Sequence, residues 1–170
     1  MSERLQGEGA LVQFSERLTN SAAFGVLFRE GMDLVEETAA YLDGVGRAEA
    51  KALDRAASLT YATESMRLTT RLMQLASWLL LHRAVKEGEM TLIQANREKT
   101  KVKLSAADPG PADMVDKLPA LLQDLIVRSM NLQSRVRRLD TTIHAPPAER
   151  TTIGNPLVPQ LNRLKAAFEQ

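Results

Sequence analysis

Residues 61–85, YATESMRLTTRLMQLASWLLLHRAV, lie inside a run of 41 residues, Arg47 to Glu87, that contains neither Gly nor Pro. Apolar residues recur there at alternating steps of three and four, the period of an α-helix. One line is Tyr61, Ser65, Leu68, Leu72, Leu75 and Leu79; a second, beside it, is Leu59, Ala62, Met66, Thr69, Met73, Ala76 and Leu80. A helix with a single core-facing stripe would carry only one of these. Two lines predict two sets of partners, and the run from Ala76 to Leu81, apolar nearly all round, is expected to be buried on several sides. The uncharged stretch between Arg71 and Arg83 makes roughly 16 Å of helix, about half a bilayer core, so no membrane span is expected.

Working outward, Ser21 is a suitable N-cap for a first helix that reaches Leu42, with Phe24, Leu27, Phe28, Leu34, Val35, Thr38 and Leu42 on its apolar side. Gly31 inside it suggests close approach of another backbone. Asp43-Gly44-Val45-Gly46 stops the first helix, and the second is expected to fill Arg47 to Glu87, about 60 Å, with Gly88 as its stop and Arg83 and Lys86 in its last turn. Residues 89–100 can add a short helical piece. Lys103 to Asp113, around Pro109-Gly110-Pro111, reads as a loop. The third helix is expected from Pro119 to about Asp140, after a separate turn at Asp113–Leu118, with Leu118, Leu122, Leu125, Ser129, Leu132, Val136 and Leu139 in a seven-residue repeat suited to shallow-angle bundle packing.

The expected architecture is all-α: a three-helix antiparallel bundle with one long central helix, divided as a flexible N-terminus (1–20), a bundle domain (21–140) and a mobile C-terminal tail (141–170). Pro146, Pro147, Gly154, Pro156 and Pro159 mark the tail. Its last part, Leu157, Leu161, Leu164 and Phe168, has helical spacing suited to folding on a partner.

Aromatics make up 4% of the 170 residues and there is no cysteine, which excludes disulfides, thiolate metal sites and thiol nucleophiles. The start, MSERLQGEGA, lacks a signal pattern, so cytoplasmic residence is expected. Net charge is +1, but residues 1–60 hold ten acids and six bases (net −4) and residues 61–107 four acids and eight bases (net +4), so the two parts should attract. A nucleic-acid-binding regulator would need one strongly basic face; Arg97–Lys103 and Arg135–Arg138 read more simply as solvated helix surface. A phosphorelay bundle using His82 is a second alternative, but Lys86 and Gly88 stand at the wrong spacing from it, and a histidine at an apolar helix end is more often structural. No metal-ligand spacing, catalytic acid pair or phosphate-cradling glycine loop is present, so neither enzyme activity nor a cofactor is expected.

The third line of the long helix, Glu64, Arg67, Arg71, Gln74 and Trp78, is polar at one end and aromatic at the other. Glu64 can pair with Arg67 and leave Arg71 to reach outward. The line reads either as a solvated face whose far end dips into the core or as a protein-contact surface, for which Arg and Trp are favoured anchors. Met66, Met73 and Met90 read as core filler.

The block YATESMRLTTRLMQLASWLLLHRAV, with EGEM at 87–90, resembles the RcdA family of alphaproteobacterial regulators of CtrA degradation. Tyr41, Leu42, Gly46 and Arg47, Leu118-Pro119 and Arg138-Leu139-Asp140 agree too, so the likeness covers roughly residues 20–140. The resemblance implies a homodimeric three-helix bundle with a tail that matters for substrate delivery. It implies a non-enzymatic adaptor that links cell-cycle substrates to the ClpXP protease, primed by a CpdR-type response regulator, and concentrated at the cell pole. Expected partner contacts are Glu64, Arg67, Arg71, Gln74 and Trp78 on the helix, and Leu157, Leu161, Leu164 and Phe168 in the tail.

Overall fold

The structure, a computed structural model, describes residues 17, 21–99 and 111–144. Six helices lie among them: α1 (Ala22–Asp43), α2 (Val45–Lys51), α3 (Arg55–Lys86), α4 (Leu92–Lys99), α5 (Ala112–Val115) and α6 (Ala120–His144). The Ser21 hydroxyl accepts from Phe24 N–H and caps α1, whose buried residues Phe24, Leu27, Gly31, Leu34, Thr38 and Tyr41 keep the three–four spacing. On α6 the whole seven-residue repeat from Leu118 to Val136 is buried, and Leu139 is half-buried. This is the all-α bundle with one long central helix that the patterning predicts. Phe24 packs on Trp78, and Glu30 and Glu37 bond Arg135 and Arg128, so α1 is antiparallel to both α3 and α6. Arg71 with Ser129 and Trp78 with Asp140 show that α3 and α6 run in the same sense.

The Arg47–Glu87 run is not one helix. It breaks at Ala52–Asp54, where the Asp54 carboxylate takes the Ala57 N–H at 2.8 Å and starts α3, so the central helix is 32 residues long, about 48 Å. A good N-cap inside a Gly- and Pro-free run suffices to restart the chain. Gly44 ends α1 as its C-cap, as expected, and the chain turns there directly into α2. Gly46, two residues on, is where the glycine matters: a Cβ there would sit 2.6 Å from the Tyr61 hydroxyl and 2.8 Å from the Tyr41 carbonyl. Gly46→Ala is expected to cost about 1–3 kcal/mol from overpacking, outweighing its helix-propensity gain of about 1 kcal/mol. A urea denaturation midpoint measures it. At Gly31 the close neighbour is the Leu79 side chain, with Leu132 behind it, rather than another backbone.

Gly88, at φ 75°, closes α3: Glu89 N–H bonds Ala84 C=O and Gly88 N–H bonds Val85 C=O, the Schellman pattern. Thr91 and Gln94 cap each other reciprocally and begin α4, the short helical piece expected after residue 89. The Pro119 carbonyl accepts the Gln123 N–H at the start of α6, after the separate turn of α5. That helix runs to His144, past the expected end at Asp140, because Ile143 finds a buried place in the core.

Candidate interaction surface on the central helix

The first apolar line of α3 is core: Tyr61, Leu68, Leu72, Leu75 and Leu79 are buried against α1 and α6. The other two lines are exchanged relative to expectation. The polar line turns inward, with Glu64, Arg71 and Trp78 at 2%, 3% and 1% exposure, while Leu59, Met66, Met73 and Leu80 face outward. Met66 and Met73 are therefore not core filler, Met90 is only half-buried, and of the apolar run from Ala76 to Leu81 Trp78 and Leu79 are buried, Ala76, Ser77 and Leu81 half-buried and Leu80 exposed.

Hydrogen bonds to α6 explain why the polar line is tolerated inside. Arg71 donates from Nη1 to the buried Ser129 hydroxyl at 2.9 Å, and Ser129 donates on to the Ile126 carbonyl at 2.7 Å. Arg71 turns in rather than out; burial pulls its guanidinium below the ordinary value, and the Glu64 carboxylate offsets part of that. Glu64 accepts from Arg67 at 2.6 Å, which holds the half-buried arginine at the rim. One turn past Gln74, the Trp78 indole N–H donates to Asp140 at 2.8 Å, and Lys99 of α4 donates to the other Asp140 oxygen at 2.7 Å.

His82 is fully buried and stacks on the Trp78 ring with centroids 3.9 Å apart. Its Nδ1 lies 2.9 Å from the Trp78 carbonyl, which can only accept, so Nδ1 carries the proton. Packed in this way it is a structural histidine, and a receiver domain has no route to it; the phosphorelay alternative falls on its burial. Among the described residues of the two basic clusters, Arg135 bonds Glu30 at 2.6 Å and Lys99 is held by Asp140.

Attraction between the acidic first third and the basic second takes a different form from the one the charge count suggests. Acids of α1 pair with arginines of α6: Glu30 with Arg135, and Glu37 with both terminal nitrogens of Arg128, which Asp124 also approaches. The bond from Arg128 holds the Glu37 carboxyl below its usual value and raises Arg128. A depressed carboxyl pKa contributes stability above the unfolded value, and that contribution fades as pH falls through the folded one. Both partners are about two-fifths exposed, so the pair is worth under about 1 kcal/mol. The stability difference between the wild type and Glu37→Gln is expected to shrink between about pH 5 and pH 3, followed by urea denaturation.

Of the nine expected contact residues, then, Glu64, Arg71 and Trp78 are spent inside the bundle, Arg67 and Gln74 remain half-exposed at its surface, and Leu157, Leu161, Leu164 and Phe168 lie outside the described residues. A signal for the inversion existed in the sequence. Ser129 interrupts the leucines of the α6 repeat at a core position, and a buried hydroxyl asks for a polar partner on the facing helix. Among the described residues no three His, Asp or Glu gather as metal ligands, and no helix is long and apolar enough to cross a membrane.

A family profile described as "Protein of unknown function (DUF1465)" matches residues 15–168. A search of curated proteins found no match. Among solved structures, RcdA from Caulobacter crescentus CB15 is similar at 50% sequence identity and a TM-score of 0.64, over 77% of this chain and 98% of that one. With half its residues identical across nearly the whole of that protein, the chain belongs to the RcdA family.

Proposed function

We propose that this protein is a non-enzymatic adaptor of regulated proteolysis, a homodimer that brings cell-cycle regulatory substrates to the ClpXP protease in concert with a CpdR-type response regulator. The observation that carries the reading is the 50% identity to RcdA across 98% of that chain. Cytoplasmic residence and concentration at the cell pole belong to the same reading, as does a division into N-terminal segment, bundle and C-terminal tail.

An adaptor needs no reacting groups. Holding a substrate beside an unfoldase turns the second encounter into an intramolecular one, so each contact can stay weak and release stays fast. The surface suits weak contacts: Arg67 and Gln74 stand half-exposed beside the outward-facing methionines of α3. Arg67 and Gln74 are the members of the polar line proposed to touch a partner directly; Glu64 positions Arg67 from within.

Reconstituted proteolysis tests the proposal. Adding the full-length protein to ClpXP, the response regulator and a candidate substrate should raise the degradation rate, and a chain truncated after His144 should lose that gain while keeping the bundle. The cut belongs after His144, since a cut after Asp140 would strip Ile143 from the core. An unchanged rate for every candidate substrate would sink the adaptor role.

A further inference from the structure

The outward face of α3 is apolar along its middle and basic at its borders. Leu59, Met66, Met73 and Leu80 run down the middle, seven residues apart, exposed by 71%, 72%, 66% and 51%. Small residues flank this row, Ala62 and Ala76 on one side, Thr63 and Ser77 on the other, and the strip carries no charge over about 31 Å, from Leu59 to Leu80. Thr63, Thr69 and Ser77 donate their hydroxyls to the carbonyls of Leu59, Ser65 and Met73 at 3.0, 2.8 and 2.8 Å. The strip can therefore be covered without stranding those donors.

The charges of the helix are nearly all of one sign. From Arg55 to Lys86, α3 holds a single acid, Glu64, against five bases, Arg55, Arg67, Arg71, Arg83 and Lys86, for a net +4. Glu64 is buried, with Arg67 at the rim and Arg71 inside, so one carboxylate faces two guanidiniums. Arg55 continues the middle row one turn before Leu59, Arg83 continues the flank of Ala62 and Ala76, and Arg67 stands one turn from Thr63. Arg83 shares its charge with Glu87 at 2.8 Å.

Charge separates the occupants that such a strip could have. A second copy would set a net +4 helix against the same +4. Residues 145–170, with two acids and three bases, would add a further +1. A helix rich in acids is drawn to this face instead.

We propose that the outer face of α3 is a docking strip for an amphipathic helix of another protein, one whose apolar stripe is bordered by Asp and Glu. The seven-residue spacing suits a shallow crossing of about 20° at about 8–10 Å between axes, so the incoming stripe keeps the same repeat. Methionine at the two central positions is unbranched and repacks around different side chains, so the strip accepts a class of acidic helices rather than one sequence. A single helix face of this length falls short of the about 800 Å² per partner of a standard interface, so docking is reversible, in the micromolar range, and weakens as salt screens the charges.

The strip gives the adaptor proposed above a class of partner segment and rests on that reading. Its test uses neither protease nor substrate, so failure of the docking and failure of the adaptor role are read separately. The probes are three fluorescent synthetic helices of about 21 residues, enough to span the strip. One carries a leucine seven-residue repeat bordered by Glu, one the same repeat bordered by Lys, and one the Glu composition with its leucines scattered round the helix. By fluorescence anisotropy with the full-length protein, the Glu-bordered probe should bind at about 10–100 μM, about tenfold or more tighter than either of the others, and should weaken severalfold between about 50 and about 500 mM salt. Arg55→Glu should weaken it about threefold or more. Met66→Glu/Met73→Glu should lose it, with an unchanged helical circular dichroism spectrum because both side chains already face solvent. Equal binding of the Glu- and Lys-bordered probes, no binding of either, or binding that survives the double glutamate variant overturns the proposal. So does tenfold tighter binding by a chain lacking residues 1–20 or cut after His144, which would give the strip to a segment of this chain, and so does a dimeric wild type that the double glutamate variant makes monomeric, which would give it to a second copy.

Discussion

Trp78→Ala is expected to cost about 3–5 kcal/mol, the largest loss of any single substitution considered, and to leave the bundle marginal near 37 °C. The indole is 1% exposed, packs on Phe24 of α1, stacks on His82 and donates to Asp140 of α6, so one side chain ties the three long helices together at one end. Truncation removes the packing and takes the N–H from Asp140 at the same time. Trp78→Phe separates the two contributions. It keeps much of the apolar volume but leaves an acceptor short of its donor, at about 1–3 kcal/mol. Urea denaturation followed by circular dichroism measures both, since the variants lack the chain's single tryptophan. Equal losses for the two would show that the hydrogen bond, not the packing, dominates.

Arg71→Ala is the second large effect, expected at about 3 kcal/mol. Its guanidinium is buried, bonded to Ser129 and close enough to Glu64 for the carboxylate to offset part of its desolvation, so deletion opens a cavity, takes a donor from the Ser129 hydroxyl and leaves the buried Glu64 carboxylate to Arg67. Arg71→Lys should recover little, because an ammonium lacks the planar fork. Replacing the group as a whole is a different matter. Glu64→Leu/Arg71→Met removes both charges and fills the space, and should lie well above Arg71→Ala in stability, within about 1–2 kcal/mol of the wild type. If the double variant is no more stable than the single one, the pair is not what makes Arg71 costly to lose.

Both predictions concern the line of α3 whose placement the sequence leaves open. Periodicity finds the helix but is degenerate about its orientation here, because two adjacent lines are apolar or nearly so and the third is mixed. Counting apolar residues favours burying Leu59, Met66, Met73 and Leu80. The fold does the opposite, covering Glu64 and Arg71 and leaving the methionines outside. Hydrophobic burial alone does not select that arrangement; the hydrogen bonds across to α6 make it affordable.

Local signals, by contrast, were legible residue by residue. Ser21 caps α1, Gly88 ends α3, Pro119 opens α6 and the leucine repeat of α6 forms the core, all as their chemistry requires. The missed break at Ala52–Asp54 belongs to the same class, since Asp54 is an ordinary N-cap without a glycine or proline to announce it.

What the amino-acid order determined by itself was the helical class, most helix ends, the family likeness and the apolar repeat of α6, because each depends on neighbours within a turn or two of chain. Which side of the central helix is inside was decided only in three dimensions. The groups that let the polar line be buried, Ser129 for Arg71, Asp140 for Trp78 and Lys99 for Asp140, are 58, 62 and 41 residues away from their partners along the chain. Whether a buried polar atom is satisfied depends on what the rest of the fold brings against it, and no local pattern carries that information.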